Sequence, residues 1–129
     1  MNQVKPILCV EDDFDTCELI AFVLGISGYQ VETVRTYNQG LSRAREHSYS
    51  LFSIDSHLPD GSGIELCQRI RQFDYRTPII FYTSEAYPGE IEKAMRAGAQ
   101  AYLVKPTDPA ELTKAVNSLL QNQLAYYAS

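Results

Sequence analysis

Residues 6–13 read Pro6-Ile-Leu-Cys-Val-Glu-Asp-Asp13, an apolar run of strand length that ends in three consecutive acids. Working outward, the pattern repeats. From Phe14 to Ile26, Cys17, Ile20, Val23 and Leu24 recur at helical spacing and predict one buried helix face, closed by Gly25 and Gly28. Gln30-Val-Glu-Thr-Val34 alternates as a half-buried strand does, and a helix over 38–47 follows with Leu41 and Ala44 as anchors. Leu51-Phe-Ser-Ile54 is a third strand, followed by the turn Pro59-Asp60-Gly61. Ser62 and Glu65 then have capping-box spacing, ahead of a helix with Leu66, Ile70 and Phe73 expected inward.

Pro78-Ile-Ile-Phe-Tyr82 is as apolar as a strand covered on both faces. Pro88 opens a helix carrying Ile91, Ala94 and Met95 that stops near Gly98. Ala101-Tyr-Leu-Val104 is the fifth strand, and Asp108-Pro109 starts a last helix with Leu112, Val116, Leu119 and Leu120. Strict alternation of strand and helix predicts an α/β fold: a doubly wound five-stranded parallel sheet with five helices. All 129 residues are expected to form a single domain, with a core over about 5–123 and a short tail over 124–129.

Composition narrows the function. Net charge is −5 with no block of Lys and Arg, which argues against direct nucleic-acid binding. No long apolar tract or signal-peptide core is present, so a cytoplasmic chain without a membrane span is expected. Cys9, Cys17 and Cys67 are scattered and odd in number, and read as reduced core hydrophobes rather than a redox or metal set.

In a parallel sheet, ligands collect beyond the carboxyl ends of the strands. Four predicted strands end there in charged or reactive residues: Glu11-Asp12-Asp13, Asp55, Thr83-Ser84 and Lys105-Pro106. Carboxylates brought together repel unless a cation intervenes, and Mg²⁺ takes a few carboxylates together with water and phosphate oxygens. With a metal beside it, Asp55 has the chemistry to attack phosphorus and form an acyl phosphate. Lys105 would pair with the phosphoryl oxygens, and Thr83 would donate a hydrogen bond to one.

These blocks resemble the receiver domain of two-component response regulators over nearly the whole chain. The resemblance rests on Ile7-Leu-Cys-Val-Glu-Asp-Asp13, Ile54-Asp55 followed by Leu58-Pro59 and Gly63, Pro78-Ile-Ile-Phe-Tyr-Thr83, and Gly98-Ala-Gln-Ala-Tyr-Leu-Val-Lys-Pro106. It implies a flavodoxin-like sheet of strand order 2-1-3-4-5. It makes Asp55 the phosphoacceptor, with Mg²⁺ held by Asp12, by Asp55, by Glu11 through a water and by the backbone carbonyl of His57. Thr83 and Tyr102 look like the switch pair, Tyr102 turned outward at rest. Lys105 would contact the phosphoryl group, and the bond before Pro106 would be cis.

The implied role is a switch rather than an enzyme, at most self-phosphorylating from small donors and self-dephosphorylating. A histidine kinase or phosphotransfer protein would be the donor. The face made by the fourth helix, fifth strand and fifth helix would change shape for a downstream partner that the residues do not name. Position 84 is Ser where the family commonly has Ala or Gly, and Gln100-Ala101 replaces an acidic pair frequent in regulators that dimerise through that face. A monomer or weak dimer is therefore expected.

Three alternatives compete. A pseudo-receiver would keep the fold and signal without phosphate. An aspartate-nucleophile phosphatase usually has a second acid two residues on, where His57 stands. A flavin-binding relative would need a phosphate cradle after the first strand, where acids stand instead.

Overall fold

The computed structural model describes residues 5–128, with side chains described as far as Gln121. The elements are β1 (Ile7–Val10), α1 (Phe14–Ile26), β2 (Val31–Val34), α2 (Tyr37–Glu46), β3 (Leu51–Ile54), β4 (His57–Leu58) and β5 (Gly61–Ser62). They continue with α3 (Gly63–Arg71), β6 (Ile79–Thr83), α4 (Pro88–Ala97), β7 (Ala101–Val104) and α5 (Pro109–Ala128). Five strands form one parallel sheet in the order β2-β1-β3-β6-β7, which is the expected 2-1-3-4-5 counted over the sheet strands. Five helices accompany it. The predicted turn at Pro59 closes a small antiparallel hairpin of β4 and β5.

Alternation along the central strands divides the core into two layers. Leu8, Val10, Phe52, Ile54, Ile79 and Phe81 face the side of α2, α3 and α4, where they meet Leu41, Leu66, Ile70 and Ala94. Ile7, Cys9, Leu51, Ile80 and Tyr82 face the other side, with Ile20 and Leu24 of α1 and Leu112 and Val116 of α5. All four residues of β1 are inaccessible to solvent. Burying each large aliphatic side chain stabilises the fold by roughly 1.5–3 kcal/mol. The three cysteines are free and buried. No helix among the described residues is long and apolar enough to cross a membrane.

Helix starts follow local chemistry. Asp13 accepts from Thr16 N–H at 3.0 Å, Thr36 from Gln39 N–H at 3.1 Å and Ser62 from Glu65 N–H at 3.0 Å. Each oxygen satisfies a donor that the first helical turn leaves unpaired. A second layer of capping is tertiary. Asp60, in the hairpin turn, accepts from Tyr37 N–H at 2.7 Å and Asn38 N–H at 3.0 Å, fastening the hairpin to the start of α2.

Three sequence expectations need correction. Phe73 lies beyond the end of α3 and is 41% exposed, with the Arg45 guanidinium 5.7 Å from its ring. Its helical spacing from Ile70 carries no weight once the helix has ended. Met95 is 43% exposed, because Ala94 occupies the buried stripe of α4 and the next residue is turned about 100° away. α5 runs to Ala128, through the stretch expected to be a tail, where the sequence offers neither Gly nor Pro to stop it.

Two features predict stability. A Cβ on Gly63 would lie 2.1 Å from the carbonyl oxygen of Asp55, which is backbone and cannot turn aside. Gly63→Ala is expected to cost about 3 kcal/mol in urea unfolding, the upper range for overpacking, because the chain must move at Asp55. In the turn between α3 and β6, burial works against the Asp74 carboxylate. Hydrogen bonds from the Thr77 hydroxyl and from Thr77 and Arg76 N–H outweigh it and hold that carboxyl below the usual range. A lowered folded value stabilises above the ordinary value of about 4 and is lost as the pH falls through the folded one. Asp74→Ala should therefore cost roughly 1 kcal/mol at neutral pH, and its deficit against the parent should shrink at acid pH.

Candidate functional site

β1, β3, β6 and β7 deliver their last residues to one edge of the sheet. Register does this: Val10 pairs with Ile54, Ile54 with Phe81, and Thr83 with Val104. The next residues, Glu11, Asp55 and Lys105, therefore emerge side by side although far apart in the chain. Carboxylate oxygens of Glu11, Asp12 and Asp55 all lie within 4.8 Å of one another.

Glu11 is 2% exposed. One of its oxygens accepts from the Lys105 ammonium, and the other accepts from Asp13 N–H at 3.3 Å. Burial pushes the Glu11 carboxyl up to about 7, while the Lys105 hydrogen bond pulls the other way. Lys105 Nζ also lies 3.7 Å from Asp55 Oδ2. Burial opposes its charge, yet the Glu11 hydrogen bond and the neighbouring Asp55 hold Lys105 above its ordinary value. The ammonium thus sits between two carboxylates, and an incoming anion would compete with Glu11 for it.

Asp12 is exposed at the mouth. Its backbone carbonyl accepts from Arg35 Nε at 3.2 Å and Nη2 at 3.0 Å, which fixes the loop after β1. Asp13 points away and caps α1. The donor set fits a hard divalent cation: three oxygen ligands of one sign, one of them buried. The His57 imidazole is not among them. It is 70% exposed and bonded through Nε2 to Glu85 Oε2 at 2.8 Å. The Glu85 hydrogen bond holds His57 above the usual imidazole value.

Thr83 is fully buried, and its Oγ1 accepts from Glu85 N–H at 3.2 Å. Tyr102 lies inward rather than in the outward resting position expected. Its ring stacks on Phe81 with centroids 5.8 Å apart, and its hydroxyl donates to the Glu85 carbonyl at 2.7 Å. The Lys105–Pro106 peptide bond is cis. Ser84 is exposed, between Thr83 and Glu85.

Sequence reasoning missed two contributors. Glu85 touches Thr83, Tyr102 and His57, yet in the sequence it is an acid in a loop. Arg35 holds the Asp12 loop from the end of β2. Gly63 touches the Asp55 backbone, and the only signal for it was its place in the family motif. Gln100 also acquires a structural role, its Oε1 accepting from Ile79 N–H at 2.7 Å and Arg71 Nη2 at 3.0 Å, which stitches β6 to β7.

Residues 7–117 match the response regulator receiver domain family. The response regulator ArlR of Staphylococcus aureus is 34% identical over 120 residues, which are 93% of this chain and 54% of that protein. The chain thus spans about half the length of the curated relatives it matches. Among solved structures, a CheY-like receiver domain protein from Methanospirillum hungatei JF-1 superposes with a TM-score of 0.92 at 29% identity, covering 96% of this chain and 99% of that one. The receiver domain of the sensor histidine kinase PA1611 from Pseudomonas aeruginosa PAO1 has a TM-score of 0.84 at 30% identity, covering 92% and 99%. That structure has a magnesium ion coordinated in its active-site cleft. Sheet order, the acid cluster at the strand ends and these likenesses agree: the chain belongs to the receiver domain family of two-component response regulators.

Proposed function

We propose that the chain is a phosphorylation-dependent signalling switch that takes a phosphoryl group on Asp55 from a histidine kinase or phosphotransfer protein. One observation carries this reading. A carboxylate with an ammonium 3.7 Å away sits beside two further acids at the mouth of the sheet. An oxygen of Asp55 attacks phosphorus, and the new P–O bond forms as the bond to the donor breaks. The donor departs with that electron pair.

Glu11, Asp12, Asp55 and the His57 carbonyl would hold Mg²⁺, which when bound supplies positive charge against the carboxylates and the phosphoryl oxygens. Lys105 leaves Glu11 for a phosphoryl oxygen, a charge-assisted contact. Thr83 donates its hydroxyl proton to another. The pull on Thr83 reaches Tyr102 through Glu85, which both contact, and changes the face of α4, β7 and α5. Coupling in such switches is typically about 1–3 kcal/mol. Exposed Phe14, Phe22 and Ile26 on α1, beginning just after Asp13, give a protein donor an apolar surface on which to dock. The role is transfer within a signalling chain rather than turnover of free substrates, and a cytoplasmic setting suits it.

Incubation with Mg²⁺ and acetyl phosphate should add the mass of one phosphate, and Asp55→Asn should abolish the adduct. Intact mass spectrometry decides, and an adduct surviving Asp55→Asn would overturn the assignment. Chelation with EDTA, or Asp12→Ala, should slow adduct formation by about a hundredfold, the scale of a lost electrostatic partner at a reacting centre. An undiminished rate in Asp12→Ala would remove Asp12 from the metal set.

A further inference from the structure

The register that gathers acids at one edge of the sheet gathers cations at the other. Ser50 N–H donates to the Pro6 carbonyl at 2.9 Å, and Phe52 N–H donates to the Pro78 carbonyl at 2.9 Å. The segments leading into β1, β3 and β6 therefore meet at the amino end of the strands. With the last turn of α2 they line a cleft of about 570 Å³. Ala44, Tyr49 and Thr77 contribute buried residues to it, while Lys5, Arg45 and Arg76 stand exposed around it. These three carry permanent positive charge, and the one carboxylate in the lining is Asp74. That carboxylate is turned to its own loop, accepting from Arg76 N–H at 3.1 Å, Thr77 N–H at 3.0 Å and the Thr77 hydroxyl at 2.6 Å. Among the described residues, neither Lys5 nor Arg45 forms an ion pair. The cleft is thus locally positive in a chain whose net charge is −5.

We propose that this cleft is a second ligand site, independent of the chemistry at Asp55, and that it binds a nucleotide, with phosphates against Lys5, Arg45 and Arg76 and the flat base against Phe73. The cleft lies within the range of small-molecule sites, roughly 300–1,000 Å³. An arginine fork matches two phosphate oxygens at once, and a lysine adds a compact charge beside it. Phe73 lines the same cleft with its ring 41% exposed, and the Arg45 guanidinium lies 5.7 Å from the ring centre. A base stacked there would cover apolar surface that otherwise faces water. The dipole of α2 favours a cation in its last turn, which accounts for Arg45. It does not account for Lys5, which precedes β1, or Arg76, which precedes β6. A long polyanion would meet the acidic remainder of the chain, whereas a nucleotide fits inside the cleft.

The test titrates the whole chain with ATP in EDTA and follows the backbone amide resonances. EDTA removes divalent metal, and without metal the acids at the opposite edge repel phosphate. The amides of His47, Ser48, Ser50 and Thr77 should move, and those of Asp12 and Asp55 should not. Lys5→Ala and Arg45→Ala should each weaken ATP binding about tenfold, the scale of one charge-assisted contact. Arg96→Ala, which removes an exposed cation of α4 outside the cleft, should bind ATP as the parent does. Tripolyphosphate should bind more weakly than ATP, and Phe73→Ala should remove that difference. Unmoved cleft amides at millimolar ATP, parent-like binding by Lys5→Ala and Arg45→Ala, or an equal loss in Arg96→Ala would each overturn the site. Equal binding of ATP and tripolyphosphate by the parent would overturn the nucleotide assignment. Asp55→Asn should bind ATP as the parent does, so a failure of this site and a failure of the switch reading are seen separately.

Discussion

The hydrogen-bonded register of β1, β3, β6 and β7 is the constraint from which the rest of the site follows. Parallel pairing puts the carboxyl ends of all four strands on one edge. Residues 94 positions apart, Glu11 and Lys105, then share a hydrogen bond in a half-buried setting. That bond joins the first strand's end to the last. A slip of one residue in any pair would turn the side chains to the opposite face and scatter the acids. β1, β3 and β6 are buried on both sides, so their side chains must also fit the apolar layers above and below.

Charge placement at this edge runs against stability and toward chemistry. A buried carboxylate with its pKa pushed up to about 7, facing another acid and a cation, is costly to assemble. The surrounding backbone holds it there. Arg35 fixes the loop of Asp12, Gly63 lets α3 start against the carbonyl of Asp55, and Asp60 ties the intervening hairpin to α2. Each limits where the carboxylates and the ammonium at the sheet edge can go.

Much of this was legible beforehand, for identifiable reasons. β3, β7 and α1 have the predicted bounds, because strand and helix periods are local properties and a charged or polar residue ends each apolar run. Asp55, Glu11, Asp12, Thr83 and Lys105 were legible as a group because each ends a strand. Phe73 and Met95 misled because an apolar side chain at the right spacing says nothing about where a helix stops or how wide its buried stripe is.

By itself the sequence determined the order of elements, the burial of the central strands and which charged residues end the strands, since all of these rest on spacing along the chain. Only the tertiary structure decided how those residues are engaged. Lys105 is bound to Glu11, Tyr102 lies inward on Phe81, and Glu85 stands between Thr83, Tyr102 and His57. Such pairings depend on distances between loops that leave different strands. No local preference of Glu85 encodes them, because the same acid in a loop elsewhere would face water.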